Sequence, residues 1–273
     1  MNYRFESNRV KDYGSEENFY DNWVKEVKAE KIKVEESFTA VTAPENEYIL
    51  KYLGPLKGKK ILEVGCGFGE ASVYFAKKGA KVVASDISQK MVDFVKKLSK
   101  LNGVETKVLK FSCDRIPFPD NSFDVVYAAN VLHHVDIEAS VREIKRVLKK
   151  GGSFVAWDPL IHNPLINVYR KKAFKVRTKN EHPLKSSDVI TIKNYFRSVR
   201  VRYTWFLTLW IFIKYYLIDR VDVNKERYWK KVIVEADKLR FPYLILERID
   251  RIILKIFPIL HKYCWNVVIM GKK

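Results

Sequence analysis

The chain has 273 residues, 47% hydrophobic and 14% aromatic, enough to bury one large α/β domain with insertions or two small domains, of which the single domain is favoured. Three cysteines, Cys66, Cys113 and Cys264, are odd in number and lack C-x-x-C spacing, so neither a disulfide framework nor a zinc knuckle is indicated and the thiols are read as reduced. The net charge of +19 is unevenly placed: residues 1–140 hold 21 Lys and Arg against 21 Asp and Glu, whereas residues 141–273 hold 30 against 11, a basic half suited to nucleic acid or an anionic membrane surface.

Residues 1–53 are polar and expected to be helical, with Phe19, Tyr20 and Trp23 in one stretch and Phe38 later. Met1 to Lys60 is charged throughout, without a basic start, apolar run and small-residue cleavage site, so the expected compartment is the cytoplasm. Lys60–Val64 then reads as a buried strand, Glu70–Lys78 as a helix and Lys81–Ser85 as a second strand. Ser88 is placed to cap a helix running to Leu101. Thr106–Lys110 is a third strand and Phe123–Ala128 a fourth, with Pro117 and Pro119 punctuating the loop between them. Ile137–Lys149 reads as a helix stopped by Gly151-Gly152, and Ser153–Trp157 as a fifth strand. This alternation implies right-handed crossovers and a parallel sheet covered on both faces.

Ser198–Phe206 and Tyr263–Met270 have the β-rich character of two last strands of that sheet. Between them, residues 207–260 are too many for a hairpin and too apolar for a solvated loop, so they are expected to form a helical insertion. Its run Tyr203–Ile213 is uncharged but too short to span a membrane. Ile245, Ile249, Ile252, Ile253, Ile256 and Phe257 recur at helical spacing, with Glu247, Arg248, Asp250, Arg251 and Lys255 on the other side, until Pro258. Such a stripe either packs against the sheet or lies in a membrane interface. The expected division is a helical cap over 1–53, a main domain over 54–206 and 261–273, and the insertion over 207–260.

The chemistry concentrates at Glu63-Val64-Gly65-Cys66-Gly67-Phe68-Gly69, a strand end entering a tight glycine turn at the head of a helix. Glycines there permit backbone barred to other residues and close approach of a ligand. Asp86, at the end of the second strand, stands where a carboxylate accepts from both hydroxyls of a ribose, so the pair indicates a nucleoside-containing cofactor. A dinucleotide and S-adenosylmethionine compete. The spacing G-x-G-x-G differs from the dinucleotide pattern, and Glu63 would repel a pyrophosphate but suits an ammonium group, which favours S-adenosylmethionine.

With Ile61–Gly69, Ser85-Asp86-Ile87-Ser88, Ile116–Val126 and Val131-Leu132-His133-His134-Val135 in order, the stretch from about Gly58 to Trp157 resembles the class I S-adenosylmethionine-dependent methyltransferases, especially the group that includes quinone-biosynthesis methyltransferases. The resemblance implies a Rossmann-like, doubly wound, mostly parallel seven-stranded sheet with an antiparallel last strand and a helical insertion before it. It also implies that Glu63 and the loop backbone at Gly65, Cys66, Gly67 and Gly69 hold the methionine end, that Asp86 holds the ribose, and that Ile87 and Met91 cover the adenine. Ser112, Cys113 and Asp114 would meet the adenine edge, and Asn130 would lie beside the methionine portion. The family's usual acid falls at Ser112, and here the acid comes two places later, at Asp114.

If the acceptor is a hydroxyl or an acidic carbon, His133 or His134 is the proton acceptor of choice, although a histidine pair at a helix start also serves to satisfy neighbouring groups. Asp158, His162, Tyr169 and His182 follow the fifth strand and are placed to line an acceptor pocket. No metal is expected. The acceptor expected from the apolar, basic insertion is a small molecule or lipid, such as a membrane lipid, prenylated quinone or lipid-linked glycan, with the protein peripheral on the inner face of the membrane. The alternative is an RNA methyltransferase using the basic half, against which Ala128-Ala129-Asn130-Val131 stands where base-amino methyltransferases carry Asn/Asp-Pro-Pro-aromatic. A non-catalytic binding module is a third possibility, opposed by the intact glycines and Asp86.

Overall fold

The computed structural model describes residues 13–178 and 181–273. Among the described residues three α-helices precede the sheet: α1 (Tyr13–Trp23), α2 (Val34–Thr39) and α3 (Pro44–Leu53). The alternating part follows as β1 (Lys60–Val64), α4 (Glu70–Lys77), β2 (Lys81–Asp86), α5 (Gln89–Leu101), β3 (Thr106–Lys110), β4 (Phe123–Ala129), α6 (Ile137–Val147) and β5 (Leu148–Pro159). Next come α7 (Pro164–Lys172), α8 (Ser186–Tyr195) and β6 (Arg197–Thr204). The short α9 (Trp210–Ile213), α10 (Tyr228–Val234) and the long α11 (Ala236–Ile256) then lead to β7 (Asn266–Lys272).

The strands form one seven-stranded sheet in the order β3-β2-β1-β4-β5-β7-β6. Strands β1 to β5 are mutually parallel, and β7 runs antiparallel between β5 and β6. This is the Rossmann-like mixed sheet, and it places a topological switch between β1 and β4, where ligands of open α/β sheets bind beyond the carboxyl ends of the strands. Side chains alternate between two cores as the two-residue period of a strand demands. Leu62, Val64, Val126, Phe154 and Ile269 enter one with α6 and α8, and Ile61, Val125, Tyr127, Val155 and Val268 enter the other beneath α3, α4 and α5. A third core, apart from the sheet, joins Ile166, Trp205, Phe212, Tyr215, Tyr228, Leu239 and Tyr243.

Ser88 caps α5, its hydroxyl accepting from Met91 N–H at 3.0 Å. The helix expected to run to Lys149 stops earlier, at Val147. Leu148, fully buried, takes extended backbone and pairs with Phe123, so the strand begins before the glycines rather than after them. The last strand starts at Asn266, not Tyr263, because Pro258–Tyr263 coils as a 3₁₀ turn.

Helix α11 departs most from the sequence pattern. Its buried residues are Ala236, Leu239, Tyr243, Asp250 and Leu254, whereas Ile245, Ile249, Ile252 and Ile256 are exposed. Asp250, expected on the solvated face, is inside and accepts from the N–H groups of Phe206, Leu207 and Thr208 and from the Thr208 hydroxyl. It caps the 3₁₀ turn Leu207–Leu209 that opens the segment after β6. Among the described residues no helix is long and apolar enough to cross a membrane.

Candidate active site

Strand β1 delivers Glu63 and Val64 to the switch point, and the chain turns at once into α4. Gly65, Gly67 and Gly69 have φ of 66°, 50° and 81°, the left-handed region that side chains rarely adopt. A Cβ on Gly65 would stand 2.4 Å from Val131 Cγ2, and one on Gly69 would stand 2.7 Å from Val95. At Gly67, by contrast, nothing lies within 4 Å, so its bare α-carbon faces open space. Two of the glycines let the loop pack down, and the third leaves room above it.

Asp86 holds this loop from β2. One carboxylate oxygen accepts from Gly67 N–H at 3.0 Å and the other from Ser88 N–H at 2.9 Å. Burial pushes its pKa up to about 6 against those two hydrogen bonds. Glu63 is buried deeper, pushed up to about 8 by desolvation, with the Ser72 hydroxyl donating to it. No cation pairs with Glu63 among the described residues, so a buried acid faces the loop without a counter-charge.

Above them lies a cavity of about 240 Å³. Glu63, Gly65, Cys66, Gly67, Asp86, Ile87, Ser112, Cys113 and Asn130 all line it. Gly69, Met91 and Asp114 do not. Gly69 is the N-cap of α4, and Met91 is fully buried in the core beneath α5, because the helix phase that caps on Ser88 turns that side chain inward. Asp114 points aside, accepting from the Tyr13 hydroxyl at 2.9 Å and from Ser112 Oγ. Asn130, at φ 56°, donates its N–H to Trp157 O at 2.7 Å.

The roof of this cavity has little trace in the sequence. Tyr13, Glu16, Tyr20 and Trp23 of α1 line it from above, and Trp229 and Lys230 of α10 close one side. Trp23 meets Phe68 edge-on at 4.7 Å, and Ser88 Oγ ties α1 down by donating to Asp21 at 2.6 Å. The only signal in the sequence was the aromatic run Phe19, Tyr20, Trp23; nothing local says which element such a run covers.

A second cavity of about 140 Å³ adjoins the first, and Tyr20, Trp23, Asn130, His134, Trp157 and Trp229 line both. His133 and His134 stand between them on a 3₁₀ turn, Leu132–His134. His133 is buried, and its Nδ1 is 2.7 Å from Asp158 Oδ1, which also accepts the His133 backbone N–H. His134 Nε2 is 3.1 Å from the Tyr20 hydroxyl, and Nδ1 is 3.3 Å from Glu16, an ion-pair distance without hydrogen-bond geometry. Tyr169 lines the second cavity, whereas His162 and His182 are exposed and line neither cavity. His133, His134 and Glu181 hold donor atoms within 4.8 Å of one another. Their contacts to Asp158, Tyr20 and Arg177 already account for that grouping.

Residues 62–156 match the family model described as a methyltransferase domain. This is a class I S-adenosylmethionine-dependent methyltransferase domain. The match runs from β1 through the glycine loop to β5 and so covers the loop side of the first cavity, but not its α1 roof or α10 side. Curated relatives include a sterol 24-C-methyltransferase of Gibberella zeae, 35% identical over 130 residues (46% of this chain, 34% of the relative). A cycloartenol-C-24-methyltransferase of Arabidopsis thaliana is 34% identical over 153 residues (54% and 43%). The chain thus matches between a third and under a half of the length of these relatives. Among solved structures, the YcgJ protein of Bacillus subtilis superposes with a TM-score of 0.56 at 17% identity, over 84% of this chain and 98% of that one. That likeness is one of fold. The cofactor of the methyltransferase domain is S-adenosylmethionine, and a buried, uncompensated Glu63 beside an open Gly67 suits a ligand that brings an ammonium group.

Proposed function

We propose that this chain transfers a methyl group to an apolar or membrane-associated acceptor, such as a lipid, a prenylated quinone or a lipid-linked glycan. Bound S-adenosylmethionine supplies an activated methyl on a sulfonium, which leaves alignment and exclusion of water to the protein. Glu63 with the loop at Gly65, Cys66 and Gly67 holds the methionine end, and Gly69 fixes that loop on α4. Asp86 holds the ribose, Ile87 covers the adenine, Ser112 and Cys113 meet its edge, and Asn130 borders the methyl donor. Met91 and Asp114 act from behind, the one as packing and the other as the anchor of Tyr13.

The observation that carries the reading is the pair of adjoining cavities, one around the glycine loop and one walled by Trp23, Tyr169, Trp229, Trp265, Ile166 and Val232. An acceptor seated in the second meets the first at Asn130 and His134. His133 is the base where the acceptor must lose a proton: in the tautomer whose Nδ1–H donates to Asp158 Oδ1, Nε2 is the basic nitrogen. The aromatic walls suit an apolar acceptor, in keeping with the sterol substrates in the names of the curated relatives. The exposed isoleucines of α11, flanked by Arg248, Arg251 and Lys255, give a face for an anionic membrane from which such an acceptor is drawn.

Incubation of the protein with methyl-labelled cofactor and fractionated cell extract tests this. Label is expected in the lipid-extractable fraction. Label confined to RNA or protein would replace the reading with the nucleic-acid or protein alternative.

A further inference from the structure

The second cavity holds more positive charge than its own carboxylates neutralise. Arg170, Arg177 and Arg227 line it, with Glu45 and Glu181 as the acids in the wall. Arg177 and Glu181 are paired at 2.7 Å, so they cancel. Glu45 accepts from Thr204 Oγ1 at 2.5 Å and Asn266 Nδ2 at 2.9 Å, and complete burial raises its pKa, which favours the neutral acid. Among the described residues Arg170 donates only to neutral acceptors, Leu160 O and Asn167 Oδ1, each at 3.1 Å. Arg227 makes no hydrogen bond or ion pair among the described residues and lies over the Trp23 ring at 3.4 Å. The charges of Glu26 and Glu181 reach it, but neither stands at ion-pair distance.

We propose that Arg170 and Arg227 form an anion-binding end of this cavity, so that its occupant is an amphiphile carrying a phosphate or carboxylate on an apolar body. The proposal rests on the reading of this cavity as the acceptor chamber, and it narrows the acceptor from any lipophile to an acidic one. The guanidinium fork is the side-chain group that pairs bidentately with either anion. Burial pushes both guanidiniums below their ordinary pKa, the sign of desolvated charge that an incoming anion would compensate. Ile166, Val176, Val232, Ile233 and Trp265 supply the apolar wall beside them. Arg170 and Arg227 are half-buried, and their contacts to two neutral acceptors and a Trp ring leave both charges without a carboxylate among the described residues.

Decyl phosphate, decanoate and decanol, kept below micelle concentrations, separate head-group chemistry from chain burial. Each is titrated into the full-length chain, with and without S-adenosylhomocysteine, and read by quenching of tryptophan fluorescence from Trp23, Trp229 and Trp265. At least one anion is expected to bind tenfold or more tightly than decanol, and the better of the two identifies phosphate or carboxylate. Arg170→Gln and Arg227→Gln should each lose at least tenfold for that anion while decanol affinity is kept, with partial recovery in Arg227→Lys. Retained decanol binding shows that the variants are folded. Equal affinity for decanol and both anions, or anion affinity unchanged in both glutamine variants, overturns the proposal. A parallel titration with S-adenosylmethionine keeps the two readings apart: a protein that prefers the anion but fails to bind S-adenosylmethionine refutes the methyltransferase reading and leaves the anion site standing.

Discussion

Glu63 shows how far a residue's chemistry depends on what surrounds it. Its pKa is pushed from 4.5 to about 8 by burial, so the folded protein binds a proton that the unfolded chain releases. Stability from this group is therefore complete below about pH 4.5 and is lost as pH rises through about 8. Glu63→Gln should raise the thermal midpoint of the ligand-free protein at pH 8 and change it little at pH 5. If Glu63 holds the cofactor's ammonium as proposed, it must do so as the carboxylate, so S-adenosylmethionine affinity should climb nearly tenfold per unit between pH 6 and 7.5 in the wild type. In Glu63→Gln it should be weak and flat; calorimetric titration across that range is decisive, and a flat wild-type profile would remove Glu63 from the ammonium site. The His133–Asp158 pair makes a second prediction. Asp158→Asn should lower kcat by on the order of 10²-fold or more, with the KM for cofactor unchanged, if His133 takes the acceptor's proton. An unchanged kcat would reduce the pair to a structural tie. Both roles start from residues visible in the sequence. The buried carboxylate that selects the His133 tautomer lies 25 positions away, and only the sheet brings it there.

At the scale of elements, the alternation of β1 to β5 with their helices was legible because each strand carries a buried apolar run and each helix a cap or glycine stop. Ser88, Asp136 and the glycines after β1 act within a few residues of their partners, and sequence patterns report such local effects well. Helix α11, whose stripe the sequence left open between packing and a membrane interface, departs from the pattern at Asp250 for the opposite reason. Its isoleucines have the spacing of a packed stripe, but Asp250 is drawn inside to satisfy three backbone N–H groups some forty residues earlier in the chain. That rotates the helix and turns the stripe outward. Asp250→Ala should cost about 3 kcal/mol in chemical denaturation, since it leaves several buried donors unmet. Asp250→Asn, which keeps an acceptor, should cost less. A loss below 0.5 kcal/mol for the alanine variant would show that the cap contributes little.

For the whole molecule, charge and exposed apolar surface lie in the same half of the chain. The excess of Lys and Arg after residue 140 and the outward face of α11 together predict adsorption to vesicles containing phosphatidylserine. Binding in a sedimentation assay should weaken several-fold between 50 and 300 mM salt, because screening shortens the reach of the lysines and arginines. Ile249→Ser with Ile252→Ser and Ile256→Ser should reduce binding further while leaving cofactor affinity intact. Vesicle binding that is absent at low salt, or unaffected by the triple substitution, would dissociate this face from the membrane. The half-buried arginines that line the second cavity belong to the same basic half.

By itself the sequence determined the parallel sheet, the glycine loop with Glu63 and Asp86, and the nucleoside nature of the ligand, because each depends on neighbours within a strand-turn-helix unit of about 25 residues. The tertiary structure decided which elements close the site: α1 as its roof, α10 as its side, the outward stripe of α11, and the paired arginines beside an aromatic chamber. Those arrangements depend on contacts between segments from 42 to 190 residues apart, whose pairing is set by the competition of every apolar face and every buried polar group for a partner, and no local pattern encodes that outcome.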